Sequence, residues 1–590
     1  MSRRIPPAEW LLFSAVVLTF FLLRLPLFRE PGLRLGWHSD AAAFGLIARE
    51  MYEGEFRLFW YGQSYMGTLT SAFGAVGGLL VAPFGVTPAV GPLALRIGTA
   101  IEWVLMMSLY WLGLRIAFGP AVAILTTLLL TTGPDWFFHS QPAPRGGEML
   151  LLLSAAVFAV AARGLERRRD WLIFGVLSGI GWWMHQGIVF TIGAALLVAA
   201  LRSPAWAILR SPREQRRWPP LVRVMNVVLL VLVGAAVVRD FWPRFPALFL
   251  YNALAETVAA WVLFRAGVAL MWDARVREAI HFIDLRRALL FAAGFVTGYA
   301  PVIVGRLSGA TEGTYGFSAP LQTLPGVVAH LLRTLRSDFW ILIGASATPL
   351  GVTTTICLLA LLLASLVRHR VAIRDFLLLR PGTWGPRAIA GATLLLCAAF
   401  WVGSTRAYGG AVRYIMPALP MLFAFALAEA ARWWQMARPM RIAAAAVVSL
   451  LVIGYAVQTL RLVDDITAAR AEGRFFTGAG FRSGPTFDPR PVTAAITRGG
   501  YEVCYADYSI AMMLEWILDR RVTFLSYNSV EPRRALARRL SSEPSKKCFV
   551  DREGRVRPWN PAEHDDSIRR RARERLLRLA PHQSKAPAGR

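Results

Sequence analysis

Acidic charge is scarce in this sequence. Its 590 residues contain 65 Lys and Arg but only 37 Asp and Glu, and charged residues make up 17% of the chain. An ordinary soluble domain has about 25% charged residues. Hydrophobic residues make up 55% of the chain. A chain this apolar and this poor in carboxylates is typical of a protein that crosses the membrane many times.

Cysteine is also scarce, and the four cysteines have neither a zinc-binding spacing nor a Cys-x-x-Cys pair. Cys357 and Cys397 lie in apolar runs, which is typical of small buried residues. Cys504 and Cys548 lie in the polar C-terminal region, and we expect that they can pair if this region is outside the cytoplasm.

Sequence motifs for nucleotide chemistry are missing as well. The sequence has neither a Walker A motif nor a Gly-x-Gly-x-x-Gly turn between a strand and a helix, which argues against nucleotide hydrolysis. It also lacks an Asp-x-Asp type of pair, as found at nucleotide-sugar sites. A donor substrate is therefore expected to arrive through the membrane.

The positive charge, +28 in total, is distributed in short arginine clusters between apolar runs. This distribution argues against a nucleic-acid-binding stripe and is typical of charge that sets membrane orientation. The five clusters lie at residues 163–169, 202–217, 275–287, 368–387 and 432–441.

Apolar runs near the length of about 20 residues needed to cross a bilayer predict about 13 crossings. No cleavage site follows the first run, at residues 11–23, so we interpret it as an uncleaved helix with a cytoplasmic N-terminus. With this count all five arginine clusters fall in the cytoplasm. The later runs start near Leu93, Ala121, Glu148, Trp171, Gly187, Leu221, Ala247, Ala288, Val352, Ala388, Tyr414 and Ile442.

The same charge rule decides two ambiguous stretches. If residues 66–84 crossed the membrane, every later arginine cluster would face outward, so we interpret this stretch as interfacial helices on the outer surface. Residues 171–201 are predicted to form two short passes that meet outside near His185 and Gln186.

Two polar regions lie outside the predicted bundle. The first is the extracytoplasmic loop at residues 29–92, and the second is the C-terminal region at residues 461–590. There strand patterns at 501–508, 521–527 and 546–550 alternate with helix patterns at 509–519 and 531–542, and a basic amphipathic segment follows at 567–581. The predicted fold class is therefore an all-α polytopic membrane domain, residues 1–460, followed by a small extracytoplasmic α/β domain.

Polar residues near the outer ends of the predicted spans are the candidates for a site. Asp40 stands directly before a helical pattern. It can cap that helix, or it can act as a general base against the membrane, where partial desolvation raises a carboxylate's pKa toward a useful value. Tyr61, Gln63 and Tyr65 lie among glycines, which fits a carbohydrate-binding surface or, equally, an interfacial aromatic belt.

Two further outer turns carry charge. Arg145 and Glu148 can pair with each other, but an ionisable residue at the edge of a span is also a functional candidate. Arg406 and Arg413 lie on an outer turn, against the usual charge bias. They can hold an anionic ligand with two-pronged contacts, or they can extend to the interface by snorkelling.

Five segments in order carry a resemblance to a known family. They are Asp40 after the first span, YGQSYMG at 61–67, PLALRIG at 92–98, PRGGEMLLLLSA at 144–155 and VRYIMPALPMLFAFALA at 412–428. In this order and placement the chain resembles the GT-C superfamily of membrane glycosyltransferases that use polyprenyl-phosphate sugars. The likeness is greatest to the protein O-mannosyltransferase and aminoarabinose-transferase group.

This resemblance implies roles for the candidates. Asp40 would act on the acceptor as general base, Glu148 would complete the catalytic site, and outer arginines would hold the lipid phosphate. Ala41 follows Asp40 where protein mannosyltransferases usually have Asp-Glu, which argues against a protein acceptor. The residues expected to contact substrate or lipid phosphate are His38, Tyr61, Gln63, Tyr65, Arg145, Arg406, Arg413 and Tyr414.

The expected reaction transfers one sugar with inversion from a polyprenyl-phosphate carrier to a glycan, lipid or protein acceptor. The protein is expected to contact membrane lipids and not to bind nucleic acid. No motif indicates a cofactor, and a divalent metal is compatible with the carboxylates. The Arg- and Ala-rich composition indicates a bacterial inner membrane. The alternative is a lipid or glycolipid flippase or transporter; the gathering of ionisable residues on one face favours the enzyme.

Overall fold

The computed structural model is mostly helical and ends in a small sheet. The residues it describes are 5–28, 39–60, 66–86, 90–134, 137–138, 141, 144, 146–203, 282–307, 324–333, 339–346, 348–403, 414–471, 489–506, 508–518, 521–526, 546–551 and 554–559.

The helices are α1 Pro7–Phe28, α2 Ser39–Tyr52, α3 Leu69–Val81, α4 Pro92–Phe118, α5 Pro120–Thr132, α6 Gly147–Ala162, α7 Arg168–Met184, α8 Val189–Leu201, α9 Phe282–Leu307, α10 Leu324–Arg333, α11 Phe339–Leu342, α12 Pro349–Leu377, α13 Pro386–Gly403, α14 Ala418–Trp434, α15 Arg438–Ala471, α16 Pro489–Gly499 and α17 Tyr508–Ile517. The strands are β1 Val503–Ala506, β2 Thr523–Ser526, β3 Lys547–Val550 and β4 Val556–Pro558.

The helices have the lengths and apolarity of a membrane bundle. Within the described residues, five of them, α1, α4, α9, α12 and α15, are long and apolar enough to cross a membrane, and shorter apolar helices accompany them. The predicted runs that start near Leu221 and Ala247 lie outside the described residues; each of the other runs has a helix. The predicted class, a helical membrane bundle with a small α/β unit, is confirmed.

Small residues bring α7 and α9 into backbone contact. Each helix carries two glycines four residues apart, the spacing that permits close helix packing in membranes. A β-carbon at Gly175 or Gly179 would overlap with the carbonyl groups of Phe291 or Phe295 on α9. Gly294 and Gly298 of α9 lie equally close to α7.

A second close pair places α3 against the first half of α4. A β-carbon at Gly77 would overlap with the carbonyl of Ala94, and one at Gly98 with the carbonyl of Phe73. α3 has 13 residues, a rise of about 20 Å, which is less than the roughly 30 Å of a hydrocarbon core. α5 and α8, which are predicted to cross, also have 13 residues. Length therefore does not decide between a spanning and an interfacial α3, and its interfacial placement stays a prediction.

Polar contacts define the two ends of the bundle. At one end Glu9 of α1 pairs with Arg115 near the end of α4, at 2.5 Å. Arg387 Nε donates to the carbonyl of Ala117 at 2.8 Å. We refer to this as the Arg115 end. α1 has 22 residues and rises roughly 33 Å, so its last turn lies at the other face of the membrane.

The opposite end, the Leu27 end, joins the last turn of α1 to the start of α4 and the end of α5. Arg96 Nη1 donates to the carbonyl of Leu27 at 2.8 Å, and Arg24 Nη1 donates to that of Thr131 at 3.1 Å. Both guanidinium groups are buried. The ends of three helices are thereby held at one level.

The C-terminal unit is a four-stranded sheet in the order β2-β1-β3-β4. β1 pairs in parallel with β2 and β3, and β3 pairs antiparallel with β4. Cys504 and Cys548 are opposite each other in the register and form a disulfide. The three predicted strands and the helix between the first two have formed; the predicted helix at 531–542 and the basic segment at 567–581 lie outside the described residues.

Candidate functional site

Met66 and Gly67 connect the first loop to the break between α7 and α8. Trp60 N donates to the carbonyl of Met66 at 2.9 Å, and Gly67 N donates to that of Met184 at 3.0 Å. Met66 also forms an isolated antiparallel bridge with His185. The loop that follows α2 is therefore fixed by backbone hydrogen bonds to a point more than a hundred residues later in the chain.

His185 marks the break that the sequence predicted. α7 ends at Met184, His185 has extended backbone, and a short 3-10 helix at Gln186–Ile188 leads into α8. The buried imidazole accepts a hydrogen bond from Gly187 N at its Nδ1, at 3.0 Å. Its ring centroid lies 5.7 Å from that of Tyr414. Tyr414 is one of the predicted substrate-contacting residues, and its ring is thus close to the fixed loop.

Glu148 lies in the first turn of α6. Gly146 N donates to Glu148 Oε2 at 2.8 Å, and Gly146 itself has a φ of +89°, a conformation that glycine adopts without strain. A β-carbon there would lie 2.9 Å from Met66 Sδ. The Glu148 side chain is only 1% exposed. The same Met66 therefore contacts both the Glu148 turn and the His185 break.

Glu102, in the third turn of α4, is a second buried carboxylate of this end, with no exposed surface. Thr70 Oγ1 of α3 donates to Glu102 Oε1 at 3.1 Å, a contact that depends on the close approach of α3 and α4. Glu102 Oε2 has no hydrogen-bond partner among the described residues. The Glu148 carboxylate is near enough to repel it electrostatically.

Glu102 was not among the predicted site residues, although an ionisable residue inside an apolar span is itself a signal of function. The buried Arg24 and Arg96 carry the same signal. Their contacts are structural, because each guanidinium binds carbonyl groups at helix ends. Arg24 also lies 3.9 Å from the ring centroid of Phe20, so part of its surface packs on an aromatic face.

Asp40 lies in the first turn of α2, where a carboxylate complements the helix dipole. It is half-buried, whereas residues 41–51 are buried. The ring of Phe44, one turn later, lies 6.1 Å from that of Trp60. α2 is therefore connected through Trp60 to Met66. This position is equally that of a helix-end residue, so the general-base role of Asp40 stays a prediction.

Three of the predicted site residues, Asp40, Glu148 and Tyr414, are described. The Glu148 turn lies beside Met66, the helix of Asp40 is linked to Met66 through Trp60, and Tyr414 lies against His185, which pairs with Met66. The remaining predicted residues lie outside the described part of the chain and stay predictions: His38, Tyr61, Gln63, Tyr65, Arg145, Arg406 and Arg413.

The described residues contain no group of three or more His, Cys, Asp and Glu side chains that could hold a metal ion. Glu102 and Glu148 form a pair of carboxylates. The site contains the buried carboxylates of Glu102 and Glu148, the imidazole of His185 and the phenol of Tyr414. The half-buried carboxylate of Asp40 lies on the neighbouring helix α2.

No family model and no curated protein matches the chain. Among solved structures, it is similar to the oligosaccharyltransferase of Archaeoglobus fulgidus in complex with zinc and sulfate. The identity is 13% and the TM-score 0.45, and the match covers 88% of this chain but 62% of the other, so the chain spans less than two thirds of that protein's length.

It is also similar to ArnT from Cupriavidus metallidurans. The apo structure matches at 14% identity and the structure bound to undecaprenyl phosphate at 17%. Both have a TM-score of 0.38 and cover 92% of this chain, with 92% and 94% of the matched chains covered.

Proposed function

We propose that this chain is a membrane glycosyltransferase that moves a single sugar from a polyprenyl-phosphate carrier to an acceptor at the Leu27 end of the bundle. One observation carries the proposal. The segments that contain Asp40, Glu148, His185 and Tyr414 come from four separate parts of the chain and are joined around Met66 at that end. Such a meeting of loops positioned by rigid helices is where catalytic residues usually lie.

The chemistry of sugar transfer suggests a role for each of the candidate residues. Transfer from a sugar phosphate releases a phosphate group, so positive charge held in a region of low dielectric stabilises the transition state. Arg406 and Arg413 are the proposed source of that charge. The ring contact between Tyr414 and His185 supports this, because it holds the residue after Arg413 against the site. Asp40 would take the proton of the acceptor hydroxyl as it attacks the anomeric carbon.

The location of the site follows from the C-terminal unit. Helix α17 packs on α2 at the Leu27 end, and its sheet contains the Cys504–Cys548 disulfide. Disulfides persist in oxidising compartments, so we propose that the Leu27 end faces the periplasm of a bacterial inner membrane. The arginine-rich Arg115 end then faces the cytoplasm, as the positive-inside rule requires.

Complementation of a deletion strain tests the function. We expect the deletion to remove one sugar from an envelope glycan or lipid, as seen by mass spectrometry, and wild type to restore it. Asp40→Asn should lower transfer by about 10²- to 10⁴-fold, the range for loss of a general base, at unchanged expression. Glu55→Gln is the matched control, because Glu55 is an exposed carboxylate of the same loop.

Full activity of Asp40→Asn would reduce Asp40 to a helix-end residue. If the deletion strain instead accumulates the sugar-loaded lipid carrier on the cytoplasmic side, the protein is a lipid or glycolipid flippase.

A further inference from the structure

A basic cavity lies at the Arg115 end, far from the candidate site. It has a volume of about 200 Å³ and lies between the ends of α4, α12, α13 and α14. A water molecule occupies about 30 Å³ in the liquid, so a phosphate group with part of its hydration shell fits. The polar side chains that line it are Ser365, Arg368, His369, Arg387, Glu429, Arg432 and Gln435.

Three guanidinium groups and one carboxylate line this cavity, and two of the guanidinium groups contact the carboxylate. Glu429 Oε1 accepts hydrogen bonds from Arg432 Nη1 at 3.1 Å and from Trp433 Nε1 at 3.0 Å. Its Oε2 lies 3.6 Å from Arg368 Nη1. The Glu429 side chain is buried, whereas both arginine side chains are partly exposed toward the opening. The carboxylate therefore fixes two cations and leaves the cavity with a net positive charge.

Arg387 supplies the third cation from a different helix. Its Nε donates to the carbonyl of Ala117 at 2.8 Å, and its Cζ lies 5.4 Å from the ring centroid of Phe118. This contact caps the C-terminal end of α4 and holds the guanidinium at the cavity wall. Since the proposed transfer reaction takes place at the Leu27 end, this cluster has no part in it.

The surface beside the cavity is apolar. Leu366 and Val367, directly before Arg368, are exposed on α12, and Trp434 is exposed beside Arg432. Apolar side chains on the outside of a spanning helix face lipid chains, and tryptophan is enriched at the membrane interface. An anion bound here would thus have room for acyl chains along α12.

We propose that this cavity binds the headgroup phosphate of an anionic phospholipid. Basic pockets between the cytoplasmic ends of spanning helices are suited to such headgroups, and two-pronged arginine contacts suit phosphate. The bound headgroup contacts α4, α12, α13 and α14 at the Arg115 end, opposite the proposed site of sugar transfer.

The test uses the full chain in nanodiscs. Thermal unfolding and native mass spectrometry are compared in phosphatidylglycerol and in phosphatidylcholine. We expect the wild type to retain more phosphatidylglycerol than phosphatidylcholine in native mass spectrometry. The ratio of the two bound lipids should fall about fivefold in Arg387→Gln, the factor that one basic residue near a membrane surface typically contributes. Gln435→Glu is the second variant. It places a negative charge at an exposed position of the lining, makes no demand on helix packing, and should weaken the preference similarly.

Arg441→Gln is the matched control, since Arg441 is an exposed arginine at the same end that does not line the cavity. It should keep the wild-type preference. No preference for phosphatidylglycerol in wild type, or the same preference in all three variants, would overturn the proposal. If millimolar inorganic phosphate in phosphatidylcholine nanodiscs stabilises the protein as well as phosphatidylglycerol does, the site belongs to a soluble anion and the lipid assignment is wrong.

Discussion

Glu102 has an unfavourable environment in the described bundle, because its carboxylate is fully buried and one of its oxygens has no hydrogen-bond partner among the described residues. A carboxylate inside a spanning helix raises the free energy of the fold unless a partner or a function compensates for it. Thr70 satisfies one oxygen of Glu102, and the nearby Glu148 opposes its charge. The hydrogen bond and the charge thus act on stability in opposite directions, and two substitutions separate them.

Thr70→Val keeps the shape of the side chain and removes the donor to Glu102. We expect a lower melting temperature in detergent, because an unsatisfied buried acceptor costs about 1–3 kcal/mol. Glu102→Gln keeps an oxygen for Thr70 and removes the charge beside Glu148, so its melting temperature should equal or exceed that of wild type.

Ser108→Ala on the same helix is the control, because within the described part of the chain the Ser108 hydroxyl donates to the carbonyl of Val104 in its own helix, at 2.7 Å. A loss of stability in Glu102→Gln as large as in Thr70→Val would show that the charge itself is needed for folding.

At the residue scale, position along the spans selected the candidate residues. Asp40, Glu148 and Tyr414 were chosen because they follow or precede apolar runs, and their roles stay predictions. The pairing of Thr70 with Glu102 could not be found in this way, because it depends on the close contact of α3 with α4 at Gly77 and Gly98. Sequence periodicity shows that a helix is apolar but does not show which helix it contacts.

Among the elements, α2 connects the helical bundle to the C-terminal unit. It packs on α3 of the bundle and on α17 of the C-terminal unit, and it carries Asp40 in its first turn. A β-carbon at Gly45 would overlap with the indole ring of Trp516. Glycine at this position is therefore what allows the C-terminal unit to dock on the helix with the proposed base.

Gly45→Ala should displace the C-terminal unit, because a β-carbon at this position already overlaps with the indole ring. Overpacking typically costs about 1–3 kcal/mol, and the Trp516 indole ring is buried where the added β-carbon would lie. We expect faster proteolysis of the chain after residue 471 and a lower transfer rate. Combining Gly45→Ala with Trp516→Ala should restore protease resistance relative to Gly45→Ala alone.

Gly193→Ala provides the control for a helical glycine with room around it, since a β-carbon there meets only Leu396 at 3.5 Å. Equal sensitivity of the Gly45 and Gly193 variants would contradict the docking role of Gly45.

Most helices were predictable as elements, and their pairing was not. The starts of α4, α5 and α6 were expected from apolar runs near Leu93, Ala121 and Glu148, and the break at His185 from the charge rule. The tight contact of α7 with α9 and the docking of α17 on α2 were not expected. These contacts depend on single glycines facing particular backbone atoms of distant segments.

For the molecule as a whole, the two ends of the bundle differ in the contacts that they make. The Arg115 end is held by arginine contacts to Glu9, Glu429 and the end of α4. The Leu27 end joins the loops of the candidate site and receives the C-terminal unit. If the arginine clusters set the orientation, the disulfide and the candidate site lie together on the oxidising side.

This orientation can be measured with the cysteines. In a Cys357→Ala, Cys397→Ala background, the only cysteines are Cys504 and Cys548. We expect an impermeant maleimide to label intact spheroplasts only after an impermeant reductant has opened the disulfide, because both groups lie outside the cytoplasm. With Cys504 and Cys548 also changed to Ser, a cysteine introduced as Arg441→Cys should be labelled only after lysis, since it lies at the Arg115 end. The reverse pattern would place the C-terminal unit and the Asp40 helix in the cytoplasm, and a transferase acting at the periplasmic face would then be wrong.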